Sequence, residues 1–246
     1  MLAIIGGSGL TTLSNMEITH RKAVRTPYGD PSGALTFGKM RGREVVFLAR
    51  HGYGHTIPPH EVNYRANLWA LQQEGIKQVV SVASVGGIRE DLKPGTLVVP
   101  DQILDYTWGR PSTYFQGGDA AVVHVDFTIP YAEPLRQCIL RAAEGCGESI
   151  VDGGVYAATA GPRLETAAEI RRYERDGADM VGMTGMPEAV LARELELHYA
   201  TIAVVVNHAA GKGDSAKRIN FGEIESTLQQ TIARARRVLE ELVNAL

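Results

Sequence analysis

The chain has 246 residues, 44% of them hydrophobic, and a formal net charge of -3 at pH 7. A chain of this length can bury a large core, and we expect residues 1–246 to form a single domain. The small negative charge argues against nucleic acid and acidic membrane surfaces as partners, and no apolar run is long enough to cross a bilayer. Because the chain starts on a predicted strand without an export signal, we expect a cytoplasmic location.

Continuously apolar, β-branched runs recur along the chain and predict strands that are buried on both faces of a sheet. In chain order these are Ala3–Ile5, Val45–Ala49, Val79–Val85, Thr96–Pro100, Gly154–Ala160, Met180–Met183 and Thr201–Val206. Helical segments lie between several of them, and three of these segments are closed by glycine. The predicted helices are Tyr64–Glu74, Glu133–Glu144, Glu165–Arg175, Pro187–Leu197 and a long amphipathic helix from Ile224 to Leu246.

The alternation of strands and helices predicts an α/β fold in which helices flank a mostly parallel, twisted sheet. The segment Arg110–Ala120 contains a proline and two glycines and is predicted as the longest loop. Ligands in such folds bind beyond the carboxyl ends of the strands, so polar or glycine-rich segments at these ends are candidate site residues.

Four segments at or near strand ends suit an anion. In Arg50-His51-Gly52, the guanidinium offers a planar set of donors and the glycine lets the backbone approach a ligand. The others are Gly6-Gly7-Ser8-Gly9, the strand end Val82–Gly87 and Met183-Thr184-Gly185, where Thr184 stands at a helix N-terminus. Ordinary turns and a helix cap would explain each segment singly, but together they predict one phosphate site.

Two other kinds of site fit the sequence less well. The segment Gly6-Gly7-Ser8-Gly9 lacks the third glycine of a dinucleotide fingerprint, because Thr12 occupies that position. His51, His55 and His60 lie in a turn rich in glycine and proline instead of on one helix face, and no cysteine lies near them. We therefore expect neither a nicotinamide cofactor nor a metal.

Five motifs follow one another along nearly the whole chain. They are Gly6-Gly7-Ser8-Gly9-Leu10, Arg50-His51-Gly52 with His55, Val62-Asn63-Tyr64-Arg65-Ala66-Asn67, Ala160-Gly161-Pro162-Arg163 and Met183-Thr184-Gly185-Met186-Pro187-Glu188. Together they resemble the trimeric purine nucleoside phosphorylases, in particular the methylthioadenosine phosphorylase branch, which Arg110-Pro111 also resembles. The resemblance implies a nucleoside phosphorylase-like fold with a partly barrel-like sheet, a homotrimer, and no metal or organic cofactor. It also implies phosphorolysis, with inorganic phosphate as co-substrate.

Matching of the motifs assigns roles at the phosphate and ribose positions. The resemblance implies that phosphate is held by Ser8, Arg50, His51, the amides of Ala83 and Ser84, and Thr184, and that Met183 lies against the ribose. The branch usually has a threonine where Ala83 stands, so the backbone must supply that contact. A phosphate fixed beneath the sugar is both nucleophile and counter-charge to an oxocarbenium-like centre. His51, beside the phosphate, and Asn207, which can donate to the departing purine, are therefore the catalytic candidates.

The base pocket is expected around Leu164, Glu165 and Asn207-His208-Ala209. Adenine-type members of the branch carry a serine in place of the Glu165 region and two aspartates in the Asn207 segment, whereas the pair Glu165 and Asn207 resembles phosphorylases that act on inosine and guanosine. A 6-oxopurine presents a carbonyl acceptor and an N–H donor, which match an amide and a carboxylate, and adenine presents the reverse. Alternatively, Glu165 only caps a helix and Asn207 only ends a strand.

The five-prime position of the nucleoside is expected to lie in an apolar pocket. The resemblance suggests that Phe221 and Ile224 face a thiomethyl group, bordered by His55 and by Thr128–Ile129 of a neighbouring subunit. A 6-oxopurine pocket combined with a methylthio pocket predicts S-methyl-5'-thioinosine as the substrate. Inosine or guanosine phosphorolysis and methylthioadenosine phosphorolysis are alternatives, and a catalytically silent nucleoside- or phosphate-binding protein is an alternative of a different class.

Overall fold

The computed structural model describes residues 1–118 and 121–246. In this part of the chain, eleven strands form one sheet that is flanked by five α-helices. The strands are β1 (Leu2–Gly6), β2 (Glu17–Lys22), β3 (Leu35–Met40), β4 (Arg43–Ala49), β5 (Gln78–Gly87), β6 (Leu97–Val99), β7 (Gln102–Asp105), β8 (Val151–Asp152), β9 (Val155–Ala158), β10 (Met180–Gly182) and β11 (His198–His208). The helices are α1 (Tyr64–Gln73), α2 (Glu133–Gly145), α3 (Ala167–Arg175), α4 (Gly185–Glu194) and α5 (Phe221–Ala245), and Gly213–Ser215 forms a 3₁₀ helix.

The seven predicted strands and five predicted helices are confirmed with shifted ends, and four further strands appear. β2 has six exposed residues and no apolar pattern, so nothing in its sequence marked it as a strand. α3 begins at Ala167 instead of Glu165, because Thr166 caps it by accepting from the Glu169 amide. The predicted loop Arg110–Ala120 is irregular over residues 110–118, and its last two residues, Asp119 and Ala120, lie outside the described residues.

The sheet is mostly parallel, which confirms the predicted fold class. Its central strand, β5, is parallel to β1 on one edge and to β11 on the other, while β4 continues the sheet beyond β1. Two pairs near the centre depart from the parallel arrangement: β10 runs antiparallel to β5 but parallel to β9, and β6 runs antiparallel to β11. The carboxyl ends of β1 and β4 therefore meet beside the middle of β5.

The side chains of β11 alternate between two apolar cores, one on each face of the sheet. Ala203 and Val205 pack in the core that includes α1 and α4, whereas Ile202 and Val204 pack in the core that includes α2 and α5. Burial on both faces explains why this strand is continuously apolar. No helix in the described ranges 1–118 and 121–246 is both long and apolar enough to span a bilayer.

Candidate active site

The sheet opens at the middle of β5. β11 pairs along residues 78–87, whereas on the other edge β1 pairs only with residues 78–81 and β10 only with residues 86–87. Residues 82–85 therefore have no strand partner on that edge. The carbonyl of Val82 accepts from Arg50 there, so alternation along the strand places the Ser84 amide on the same open edge. Gly86 and Gly87 pair on both sides, so residues 82–85 are the part of β5 that borders the opening, and the same alternation turns the Ala83 amide towards β11.

Arg50 follows β4 and is completely buried beneath this opening. Its Nε donates to Glu188 Oε2 at 2.7 Å and its Nη2 to Glu188 Oε1 at 2.9 Å, so one edge of the planar guanidinium is matched to a carboxylate of the protein. Nη2 also donates to Ser81 Oγ at 2.5 Å, and Nη1 donates to Val82 O at 3.1 Å. A guanidinium has five N–H donors. One Nη1 hydrogen is therefore left for a ligand in the cavity.

Glu188 lies in the first regular turn of α4 and is as completely buried as Arg50. Its Oε1 also accepts from the Tyr199 hydroxyl at 2.8 Å, so several donors satisfy the carboxylate. Burial lowers the pKa of Arg50, but the adjacent Glu188 carboxylate more than offsets this and raises it above its usual range. Arg50 is thus a permanent cation whose orientation is fixed by a buried anion.

His51 is an uncharged histidine at the edge of the same opening. Burial, assisted by the charge of Arg50, lowers its pKa to about 4. Its Nδ1 lies 2.8 Å from the carbonyl of Ile57. Because a carbonyl only accepts, Nδ1 carries the hydrogen, and Nε2 is left as an acceptor. His51 can therefore accept a hydrogen bond from a protonated oxygen of a ligand but cannot donate one from Nε2.

Two hydroxyls complete this end of the site. Ser8 lies in the loop after β1, and its Oγ is 3.0 Å from His55 Nε2. A Cβ atom at Gly7 would lie 2.8 Å from Arg50 Nη1, so a glycine is needed for this loop to close over Arg50. Thr184 is buried at the N-terminus of α4, and its side chain makes no capping hydrogen bond. Its hydroxyl is thus not committed to the helix.

A carboxylate and an amide lie at the other end of the opening. Glu165 Oε1 accepts from Thr159 Oγ1 at 2.7 Å, which leaves Oε2 as an acceptor for a ligand. Burial raises the pKa of Glu165, and the hydrogen bond from Thr159 opposes that rise. Asn207 donates one amide hydrogen to the carbonyl of His208 at 2.6 Å, and its second hydrogen remains for a ligand.

One cavity of about 420 Å³ joins the two ends. Every predicted site residue except His208 lines it, namely Ser8, Arg50, His51, His55, Ala83, Ser84, Leu164, Glu165, Met183, Thr184, Asn207, Ala209, Phe221 and Ile224. His208 packs instead beneath the 3₁₀ helix, with its Nδ1 3.6 Å from Asp214 Oδ2. Val206 lines the cavity beside Asn207, and Ala209 and Ala210 follow beyond the end of β11. A register shift between Val205 and Asn207 interrupts the regular alternation of the strand there.

Sequence reasoning did not assign Glu188, Thr159 or Arg110 to the site. Glu188 carried a usable signal, because an acidic side chain inside the apolar window Met186–Leu191 is expensive to bury without a partner. Arg110 carried a signal through the resemblance of Arg110-Pro111 to the family, but its carbonyl partners meet only in the folded chain. Thr159 carried none.

Comparisons with known proteins agree with this geometry. The family model described as the phosphorylase superfamily matches residues 1–244. The chain belongs to the phosphorylase superfamily.

Relatives of this phosphorylase-superfamily member match over nearly their full length. It is 52% identical over 245 residues to a probable S-methyl-5'-thioinosine phosphorylase of Pseudomonas syringae pv. tomato, covering 99% of this chain and 98% of the relative. It is 45% identical to a 6-oxopurine nucleoside phosphorylase of Pyrococcus furiosus, and the match covers 93% of this chain and 86% of that relative. The solved structure of methylthioadenosine phosphorylase from Schistosoma mansoni in complex with adenine superposes on this chain with a TM-score of 0.94 at 33% sequence identity. The match covers 99% of this chain and 91% of that structure.

Proposed function

We propose that this protein cleaves S-methyl-5'-thioinosine with inorganic phosphate, giving hypoxanthine and 5-methylthioribose 1-phosphate. The observation that carries the proposal is one cavity with a buried cation and hydroxyls at one end and the pair Glu165 and Asn207 at the other. The relatives named as S-methyl-5'-thioinosine and 6-oxopurine nucleoside phosphorylases support it.

Phosphate occupies the buried end of the cavity. The free Nη1 hydrogen of Arg50, the Ser84 amide and the hydroxyls of Ser8 and Thr184 donate to its oxygens, and a protonated phosphate oxygen donates to Nε2 of His51. Ala83 contributes backbone and a small side chain to the wall. The phosphate itself is the nucleophile in this proposal, so the reaction uses no covalent intermediate with the protein and no metal or organic cofactor.

The base occupies the end with Glu165 and Asn207. Oε2 of Glu165 accepts from N1–H of the purine, and the amide of Asn207 donates to its carbonyl or N7. During the reaction a phosphate oxygen bonds to the anomeric carbon while the carbon–nitrogen bond breaks and its electrons pass to the purine. Asn207 stabilises that charge, and the phosphate stabilises the oxocarbenium-like sugar. The purine anion then becomes hypoxanthine by taking up a proton, which balances the proton that the phosphate group gives up. A mismatched buried polar group costs about 1–3 kcal/mol, so adenine nucleosides are poorer substrates.

The five-prime substituent faces the outer wall of the cavity. Phe221 and Ile224, at the start of α5, supply apolar surface there, and Leu164 and Met183 continue it towards the base and the ribose. His55 stands at the edge of this wall. A thiomethyl group gains more from such a surface than a hydroxyl does. This favours the methylthio nucleoside over inosine.

The active form is proposed to be a cytoplasmic homotrimer. Five large apolar side chains between residues 106 and 130 are exposed, namely Trp108, Phe115, Val122, Val123 and Ile129. Exposed apolar residues concentrated in one segment are typical of an interface between protein chains. Thr128 and Ile129 of a neighbouring subunit would then border the five-prime pocket. Analytical ultracentrifugation tests the assembly, and a monomer would contradict it.

A kinetic comparison of three nucleosides tests the proposed function. S-methyl-5'-thioinosine, inosine and methylthioadenosine are incubated with the protein, with and without phosphate, and the released base is measured chromatographically. We expect phosphate-dependent release of hypoxanthine, with kcat/KM for S-methyl-5'-thioinosine about tenfold or more above the other two. Equal turnover of inosine would favour the inosine or guanosine alternative. Absence of any release would favour the catalytically silent binding protein.

A further inference from the structure

Arg110, in the long segment between β7 and α2, lies among backbone carbonyls. Its Nη1 donates to Met183 O at 2.8 Å and Met186 O at 2.6 Å. Its Nη2 donates to Ala160 O at 2.8 Å and Thr159 O at 3.3 Å. Its guanidinium also lies 5.4 Å from the centre of the Tyr64 ring. No carboxylate in the described residues forms an ion pair with it, so the guanidinium is held by dipoles.

The four carbonyls belong to two different loops of the active site. Thr159 and Ala160 follow β9 and lead to Glu165, the proposed acceptor for the base. Met183 follows β10, and Met186 stands at the non-helical start of α4, so the two flank Thr184 in the phosphate–ribose loop, which here includes the first residues of α4. β9 and β10 pair up to Ala158 and Gly182, and the Thr159 amide donates to Gly182 O at 2.8 Å. Beyond this last contact between the strands, each terminal nitrogen of Arg110 serves one loop, so the rigid guanidinium bridges the two loops where strand pairing no longer holds them.

We infer that Arg110 is a positioning residue that sets the separation between the base-recognition loop and the phosphate–ribose loop. Phosphorolysis needs the phosphate oxygen and the leaving base on opposite sides of one carbon, and a misplacement of about 1 Å can cost a factor of about 10² in rate. Each ligand touches mainly one loop, so each still binds when the loops shift. The reaction suffers because it needs both loops in register. The inference rests on the proposed phosphorolysis but not on the identity of the nucleoside.

Lysine cannot replace this arrangement. An ammonium is a single point with three donors, whereas the guanidinium presents two nitrogens in a fixed plane, one for each pair of carbonyls. In Arg110→Lys the positive charge stays, but at least one loop loses its donor. The carbonyls left behind at that loop are free to turn away from their present positions.

The segment that carries Arg110 has separate anchors, which supply a matched control. Thr113 Oγ1 and the Tyr114 amide both donate to Glu194 at 2.7 Å, and Arg65 donates to Thr113 O at 3.4 Å. Arg65 touches this segment but neither active-site loop. Arg65→Lys is therefore the same chemical change in a neighbouring anchor of the same segment.

The test compares kcat with the separate affinities for phosphate and hypoxanthine. For Arg110→Lys we expect kcat to fall at least 30-fold, while the two dissociation constants, measured by calorimetry, change less than about threefold. Arg65→Lys should keep kcat within threefold of wild type. For Arg110→Ala we expect a larger loss that ethylguanidinium partly restores and ethylammonium does not, because only the former reproduces the planar pair of donors.

Several results would overturn the inference. They are a kcat within threefold of wild type in Arg110→Lys, an equal loss in Arg65→Lys, losses of both separate affinities as large as the loss of kcat, or no rescue by ethylguanidinium. Failure of Arg110→Lys to unfold cooperatively on heating would also overturn it, since Arg110 would then serve general stability. If the wild type turns over no nucleoside, the proposed function itself is refuted. If the wild type turns over nucleoside and Arg110→Lys has the same kcat, only the role of Arg110 is refuted.

Discussion

The two ends of the cavity are built in different ways. At the phosphate end, Arg50, His51 and Thr184 are 0%, 6% and 7% exposed, and buried partners fix the guanidinium from behind. At the nucleoside end, Phe221 is 71% exposed and Asn207 depends on a single hydrogen bond within the protein. The phosphate end is thus constrained by many mutual contacts and the nucleoside end by few. We therefore expect a change of substrate to require few substitutions at the proposed nucleoside end, and the proposed phosphate end to tolerate hardly any.

Breaking the Arg50–Glu188 pair should have the largest effect. In Glu188→Gln the buried guanidinium loses its counter-charge, and removal of one partner of a buried ion pair typically costs about 3–5 kcal/mol of unfolding free energy. The guanidinium also loses its fixed orientation, so we expect the KM for phosphate to rise more than tenfold. Urea unfolding and steady-state kinetics with varied phosphate measure the two effects.

Glu148→Gln is the matched control for this change. Glu148 has a side chain that is only 9% exposed, and it pairs with Arg234 at 2.7 Å and with Arg237, far from the cavity lining. This variant should lose some stability but keep the KM for phosphate. An equal rise in that KM in both variants would show that loss of stability alone, and not the orientation of Arg50, explains the effect.

A change at the nucleoside end should alter preference without disturbing the phosphate end. In Asn207→Asp a donor becomes an acceptor, which suits the amino group of adenine and repels the carbonyl of hypoxanthine. We expect the ratio of kcat/KM for methylthioadenosine to that for S-methyl-5'-thioinosine to rise about tenfold to a hundredfold, with the KM for phosphate unchanged. His208→Gln, one residue along and outside the cavity, should leave the ratio unchanged. A ratio that stays constant in Asn207→Asp would remove this residue as the reader of the base.

The pH dependence of stability gives a smaller effect at the phosphate end. His51 has a pKa of about 4 in the folded protein and about 6.5 when unfolded. Between these pH values the unfolded state therefore binds one proton more than the folded state does. The resulting stability is fully present above pH 6.5 and is lost as the pH falls towards 4. Between pH 7 and pH 5 this amounts to about 2 kcal/mol.

Replacing His51 by asparagine removes this contribution to the pH dependence. The difference in unfolding free energy between pH 7 and pH 5, measured with urea, should be smaller by about 2 kcal/mol than in the wild type. His60→Gln, at a side chain that is 41% exposed, is the control and should keep the wild-type difference. A wild-type pH dependence in His51→Asn would mean that the histidine is not buried in its uncharged form.

Local residue patterns predicted the fold and the anion-binding segments at the strand ends, whereas most of the cavity lining was predicted from the resemblance of ordered motifs to a known family. Continuous apolar runs marked the strands covered on both faces, and glycines with polar residues marked their ends. The same reasoning missed β2, whose exposed residues carry no apolar pattern. It also left the partner of Arg50 unassigned, because Glu188 is 138 residues away in the chain. Pairings of that range depend on how the strands are ordered, which residue patterns alone do not specify.

The pairing of Arg50 with Glu188 affects how an anion reaches the cavity. One cation faces one anion, and the neighbouring imidazole is uncharged, so the phosphate end sends little net electrostatic field into solution. An incoming ion is held only by short N–H and O–H contacts once it has arrived. Dissolved salt screens long-range attraction over roughly 8 Å at physiological ionic strength. Because there is little such attraction to screen, we expect the proposed capture of phosphate to depend on the shape of the site and hardly on the ionic strength of the medium.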